Sequence, residues 1–135
     1  MPLKVFKVKT SSRTDFVNIT HLVREFVKEV SPREGLCVIY VPHTTAAVFI
    51  NERADPDVAR DIAYKLDRLV EWNDPNYLHT EGNSAAHIKS SIMGNSRVVP
   101  VVEGELLLGT WEAIFLAEFD GPRTRKVIVQ VFETD

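Results

Sequence analysis

Thirteen consecutive residues, His79-Thr80-Glu81-Gly82-Asn83-Ser84-Ala85-Ala86-His87-Ile88-Lys89-Ser90-Ser91, carry two histidines, a carboxylate, an amide and three serines. Small residues follow Gly82, and an apolar spacing suited to a short helix then begins. Polar chemistry at the mouth of a helix is where anion and metal sites are often built. The small side chains of Asn83, Ser84, Ala85 and Ala86 let a ligand approach free backbone N–H groups. The helix dipole favours an anion there, with phosphate or pyrophosphate the natural guest. A simple capped helix is the other reading of the same residues.

His43 is a third histidine, in the turn Pro42-His43-Thr44-Thr45 between two apolar runs. A mononuclear metal site needs about three ligands, and a catalytic one keeps a position open. His43, His79 and His87 supply three only if the fold or a neighbouring subunit brings them together. Their spacing has none of the i, i+4 logic of HExxH. Three hydrogen-bonded histidines near the surface would look the same. Glu52 is an acid or base close to His43 in sequence, and Asp55 is first a helix cap. In Gly109-Thr110-Trp111-Glu112, glycine permits close backbone approach and Trp111 either stacks on a flat ring or packs in the core. Arg123 and Arg125 either clamp a phosphate or are exposed turn residues.

These groups must be positioned by ordinary elements. Leu3, Val5, Phe6 and Val8 against lysines read as a half-buried strand over 3–9, and residues 14–17 return as a short strand. Asn18 and Thr20 are N-cap types before an amphipathic run, Leu22, Val23, Phe26, Val27 and Val30, which Ser31-Pro32 stops. His21 lies at its surface. Residues 36–41 and 46–50 are continuous apolar β-rich runs, predicting strands buried on both faces. Cys37 sits inside the first as a small hydrophobe. Asp55-Pro56 opens the longest helix, with Val58, Ile62, Leu66, Leu69 and Val70 on its apolar face. Ser84 is the expected N-cap of the short helix, with Ala85, Ile88, Ile92 and Met93 inward and Gly94 closing it. Strands follow over 97–102, 105–108, 111–119 and 126–132. Pro100 marks an edge or a bulge in the first of them. Strands that do not alternate regularly with helices indicate an α+β fold: a mixed, largely antiparallel sheet with three helices packed against it.

A chain of 135 residues with 44% hydrophobic and 26% charged content is one globular domain, 1–135. Its net charge of −3 argues against non-specific nucleic-acid binding. A single cysteine excludes an internal disulfide and a cysteine zinc cluster. Lysines interrupt the N-terminal apolar run, which reads as a strand, not a leader. No stretch approaches a membrane span. A soluble cytoplasmic protein with no nucleic-acid or membrane partner is expected.

Taken together, Pro42-His43-Thr44-Thr45-Ala46-Ala47, Asn51-Glu52 with Asp55-Pro56-Asp57, the stretch from His79 to His87, Gly109-Thr110-Trp111 and Glu118-Phe119-Asp120-Gly121-Pro122-Arg123 resemble the YjbQ family, whose members are called secondary thiamine-phosphate synthase enzymes. The resemblance covers nearly the whole chain. At one position the chain departs from it: Glu112 stands where the family pattern has glutamine.

The resemblance implies a homotrimer with histidine-rich sites near subunit boundaries, a bound divalent metal such as zinc or magnesium, and a weak thiamine-phosphate synthase activity. That reaction joins hydroxymethylpyrimidine diphosphate to a thiazole phosphate and releases pyrophosphate. On this reading His43, His79 and His87 hold the metal. Asn83, Ser84, Ala85 and Ala86 bind phosphate with Arg123, Thr110 and Trp111 contact the heterocycle, and Glu81, Glu52 and Arg123 form the catalytic group. A non-catalytic trimer that binds metal or a phosphorylated ligand, or a metal-dependent phosphate-ester hydrolase, would use the same parts.

Overall fold

The computed structural model describes residues 1–134. The chain runs β1 (Leu3–Lys9), β2 (Asp15–Asn18), α1 (Thr20–Val30), β3 (Glu34–Tyr40), β4 (Ala46–Glu52), α2 (Pro56–Leu69), α3 (Ser84–Met93), β5 (Ser96–Val102), β6 (Glu105–Leu106), β7 (Glu112–Glu118) and β8 (Thr124–Glu133). This is the expected α+β order with three helices. The strands form two sheets: five strands in the order β1-β8-β3-β5-β6, and three in the order β2-β7-β4. Every pairing among the described residues is antiparallel.

The inner faces of the two sheets share one core. Cys37, Ile39, Val99, Val101, Val127, Val129 and Val131 come from the larger sheet, and Ala46, Val48, Ile114 and Leu116 from the smaller. Helix α1 adds Val23, Phe26 and Val27 to this core. The alternate residues of the smaller sheet, Ala47, Phe49, Ala113, Phe115 and Ala117, face outward into a second cluster with Ala86 of α3 and Ile62 and Leu66 of α2. Strands β4 and β7 are therefore covered on both faces, which is why their sequences are continuously apolar and do not alternate. Cys37 is fully buried, and burial pushes its thiol up to about 12, so it acts as a small hydrophobe.

The helix ends follow local chemistry. Asp55 accepts the Asp57 N–H at 2.9 Å with Pro56 in the first turn of α2. Asn18 Oδ1 accepts from the Thr20 N–H and hydroxyl at the start of α1, and Ser31, at φ 53°, ends it before Pro32. Pro100 bonds through its carbonyl to the Leu107 N–H, just beyond the two-residue strand β6. Its missing N–H therefore lies on the side of Leu107, where pairing with the short edge strand β6 has ended, and not on the side of β3.

Helix α3 differs from expectation. Its N-cap is Asn83, not Ser84, and no side chain caps it. Its buried face is Ala85, Ala86, Lys89 and Ser90, while Ile88 and Ile92 are exposed. Two causes act together. Alanines allow α3 to lie close on β4, beside Ala47. The Lys89 ammonium is drawn inward by the Asp67 carboxylate of α2. In α2, Leu69 points to solvent instead of joining the apolar face. No helix of the described residues is long and apolar enough to cross a membrane.

Candidate functional site

The turn between β3 and β4 places His43 at one end of both sheets. Strand β3 ends at Tyr40, opposite Ile128 of β8. The Lys126 N–H, two residues before Ile128 in β8, lies beyond the end of β3 and has no β3 residue paired with it. The His43 imidazole takes that place, with Nε2 accepting from Lys126 N–H at 2.9 Å.

Behind this turn lies a buried ion pair. Glu118 is fully buried and Arg125 nearly so. Arg125 donates from Nε to Glu118 Oε1 at 2.8 Å and from Nη2 to Glu118 Oε2. Nη2 also reaches Thr45 Oγ1 at 2.7 Å and the Thr45 carbonyl at 3.1 Å. Thr10 donates to Glu118 Oε1 at 2.8 Å, and the Asp120 N–H to Oε2 at 2.9 Å. Burial alone would raise the Glu118 carboxyl. Hydrogen bonds from Arg125, the Asp120 N–H and Thr10 outweigh it and hold the group below its ordinary value. Arg125 is thus tied to Glu118 and Thr45, which corrects its expected part in a phosphate clamp.

The loop from Glu118 to Arg125 then joins α3. Asp120 Oδ2 accepts from Asn83 Nδ2 and from Arg123 Nη2, both at 2.9 Å, and the Asp120 carbonyl accepts from Arg123 Nε at 2.9 Å. Asn83 and Arg123, two of the expected phosphate contacts, therefore meet on one carboxylate. The N–H groups of Ser84 and Ala85 donate to no acceptor among the described residues, and Asn83 Oδ1 is buried without a partner.

His87, in the first turns of α3, borders two cavities. One, of about 470 Å³, is lined by His43, Thr44, Ala46, His87, Ser90 and neighbouring loop atoms. The other, of about 440 Å³, is lined by Tyr77, Leu78, His79, Ser84, His87 and Ile88. The rings of His79 and His87 meet edge to face with centroids 5.3 Å apart, and Glu81 Oε2 stands 4.0 Å from His79 Nε2. No group of three His, Cys, Asp or Glu residues is arranged to hold a metal ion among the described residues. His79 pairs with His87 through their rings and with Glu81 through its carboxylate without the three forming such a group, while the Nε2 lone pair of His43 is committed to Lys126. In one chain the three histidines are not a single donor set.

The remaining expected residues lie elsewhere. In the register of β4 with β7, Ala46 pairs with Glu118 and Glu52 with Glu112. Glu52, Thr110 and Trp111 are therefore at the opposite end of the smaller sheet from His43 and Asp120. Glu52 Oε2 accepts from the Ala54 N–H at 2.9 Å. Trp111 is 60% exposed, which removes the core reading, and the Arg53 guanidinium lies 5.5 Å from its ring centre. Glu112, in place of the glutamine, accepts the Gly109 N–H at 2.8 Å. This contact closes a local turn at that end.

Sequence reasoning assigned no role to Glu118, Asp120, Thr45 or Ser90 at this site. For Glu118 a signal was present: a carboxylate directly after the buried Ala117, closing the apolar run 113–117, needs a buried cation, and Arg125 follows seven residues later.

Residues 4–134 match the family described as UPF0047 protein YjbQ-like. The UPF0047 protein YugU of Bacillus subtilis is 45% identical over 129 residues, covering 96% of this chain and 98% of that protein. A crystal structure of a YjbQ/UPF0047-family protein from Clostridium acetobutylicum superposes with a TM-score of 0.93 at 47% identity, covering 96% of this chain and 99% of that one. The protein APE1520 from Aeropyrum pernix K1 gives a TM-score of 0.94 at 41% identity over 99% of this chain and 100% of that one. With the motifs, the two-sheet fold and the relatives in agreement along the whole length, the chain belongs to the UPF0047 YjbQ-like family.

Proposed function

We propose that the protein is a transferase of the thiamine-phosphate synthase type, acting on a phosphorylated small molecule at the histidine-rich end of the smaller sheet. The observation that carries this reading is the placement of His87 between two adjoining cavities, with His43 and Ser90 in one and His79 in the other. Beside it the α3 N-terminus offers the unengaged N–H groups of Ser84 and Ala85, which suit an anionic leaving group.

In the reaction, a thiazole nitrogen forms a C–N bond to the pyrimidinylmethyl carbon as the C–O bond breaks, and the electron pair leaves with pyrophosphate. The chain's contribution is to hold the leaving group and the ring. Arg123, anchored by Asp120, and the α3 N-terminus would meet the developing negative charge, and Glu81, beside His79, is the candidate for orienting that imidazole or handling a proton. Of the two ions the resemblance implies, zinc suits the imidazole donors of His79 and His87, whereas magnesium would rest on the Glu81 carboxylate and phosphate oxygens. When bound, either would neutralise charge on the phosphate oxygens.

The ring-binding residues Thr110 and Trp111, with Glu52, sit at the far end of the same sheet. A head-to-tail contact between copies would bring one chain's tryptophan end against the next chain's histidine end, and such contacts close into a ring, such as the trimer the resemblance implies, when the rotation between copies closes. Leu78 and Ile92 beside His79 and His87, and Leu107 and Trp111 at the other end, are exposed apolar groups of the type an interface covers. This supports a homotrimer with composite sites.

The test is turnover of the two thiamine precursors by wild-type protein, with light scattering for the assembly. His87→Ala and Trp111→Ala should each be inactive, and their co-assembly should regain part of the activity. Product formation at wild-type level by either single variant would defeat the reading. A phosphorylated heterocycle that binds tightly without product under zinc or magnesium would favour a binding protein instead.

A further inference from the structure

The environment of His43 fixes its chemistry more narrowly than its residue type does. Nε2 accepts a backbone N–H, so in the neutral ring the proton sits on Nδ1. The acceptor lone pair is occupied, and the free nitrogen is a donor. No hydrogen bond to Nδ1 exists among the described residues.

The position is rigidly held on both sides. Arg125 grips Thr45, two residues after His43, through its carbonyl and hydroxyl. Lys126, the next residue along β8, holds the ring. The charged groups that act on His43 are Arg125, Glu118, Arg123 and Lys126. Burial and Arg125 lower its pKa, while Glu118 opposes them with a smaller effect. Burial and the neighbouring cations thereby disfavour a charge on the imidazole.

A second residue bordering the same cavity carries a buried group without a partner. Ser90 is only 6% exposed, and its Oγ has no hydrogen bond. A buried hydroxyl left unpaired costs free energy, and Ser90 lines the cavity that His43 and His87 line.

We propose that His43 is a neutral hydrogen-bond donor and not a metal ligand: its Nδ1–H and the Ser90 hydroxyl together take an oxygen of a phosphate or pyrophosphate group in this cavity. This deepens the reading above, since it rests on the cavity receiving a phosphorylated substrate.

The experiment is a two-bond 1H–15N correlation spectrum of the full-length protein labelled in its imidazole nitrogens, in EDTA, titrated with inorganic pyrophosphate. The expected spectrum shows His43 protonated on Nδ1 and unprotonated on Nε2, with Nδ1 moving on titration. His43→Asn places an amide N–H near the Nδ1 position and should bind pyrophosphate within a few-fold of wild type. His43→Gln restores only the contact to Lys126 and should bind roughly tenfold or more weakly, as should Ser90→Ala. His43→Asn should also retain the wild-type zinc content.

A His43 proton on Nε2, loss of zinc in His43→Asn, or the reverse order of the two variants would overturn the proposal. So would an Nδ1 resonance indifferent to pyrophosphate. The tautomer is read on wild-type protein, so a variant that misfolds does not remove the test. If tautomer and pyrophosphate response hold while no thiamine product forms, the donor site stands and only the transferase reading falls.

Discussion

Arg125 and Glu118 form a buried ion pair that also grips Thr45, two residues from His43. Removing one member leaves the other charged and unpaired in the interior, which costs about 3–5 kcal/mol. Glu118→Ala and Arg125→Ala should each lose stability of that order in urea titrations. A double replacement by apolar residues of similar volume should lose far less, because no unpaired charge remains. Equal losses in the double variant and the singles would show that Thr10 and Thr45, left without partners, carry the cost instead.

Acid should weaken the fold over two pH ranges. His43 is lowered chiefly by burial, with Arg125 next, so the unfolded chain takes up its proton first. Its contribution is complete above about pH 6.5 and is lost as pH falls toward the folded value. Glu118 is also lowered, its hydrogen bonds outweighing burial. Its contribution is complete above about pH 4.3 and is lost as pH falls through its folded value. Urea midpoints measured from pH 8 to pH 3 should therefore fall in both ranges, and His43→Asn should flatten the upper one. Parallel curves for wild type and variant between pH 7 and pH 5 would contradict the His43 assignment.

The elements were legible because their signals are local. Asp55-Pro56, Ser31-Pro32 and the apolar runs of β3 and β4 each state a backbone requirement within a few residues. The split into two sheets was not legible. Residues 36–41 and 46–50 read alike, but one strand joins each sheet, and that choice depends on partners about 90 and 70 residues away. The histidine end was recognised by residue type, yet its support was not. Glu118, Arg125, Thr10 and Thr45 converge only through tertiary pairing. Trp111 was grouped with His43 because residue types carry no distance, whereas the β4–β7 register separates them by a strand length.

Helix α3 owes its orientation to Lys89 as well as to its alanines. The buried ammonium has Asp67, on the half-exposed surface of α2, as its partner. Asp67→Ala should destabilise by about 1–3 kcal/mol, more than an ordinary surface change, because it leaves a buried cation unpaired. Lys89→Met fills the same space without charge and should cost less. Thermal melts of the two variants decide this. A larger loss for Lys89→Met would mean that the pair contributes net stability to the α2–α3 contact.

The histidine pair makes the metal reading specific. His79 and His87 stand edge to face, with Glu81 beside His79, while His43 is held by Lys126. If His79 and His87 are the chain's own ligands, His79→Ala and His87→Ala should each reduce bound zinc at least tenfold, the lower end of what a lost outer partner alone produces. Glu81→Gln should reduce it less, since the amide keeps the size but loses the charge. Stability should change little in all three, because His79 and Glu81 are exposed and His87 borders open cavities. Elemental analysis after dialysis against equal zinc measures the content, and urea titration separates it from folding. Full zinc content in His87→Ala would assign the metal to other residues, and the role of His87 would then reduce to lining the two cavities.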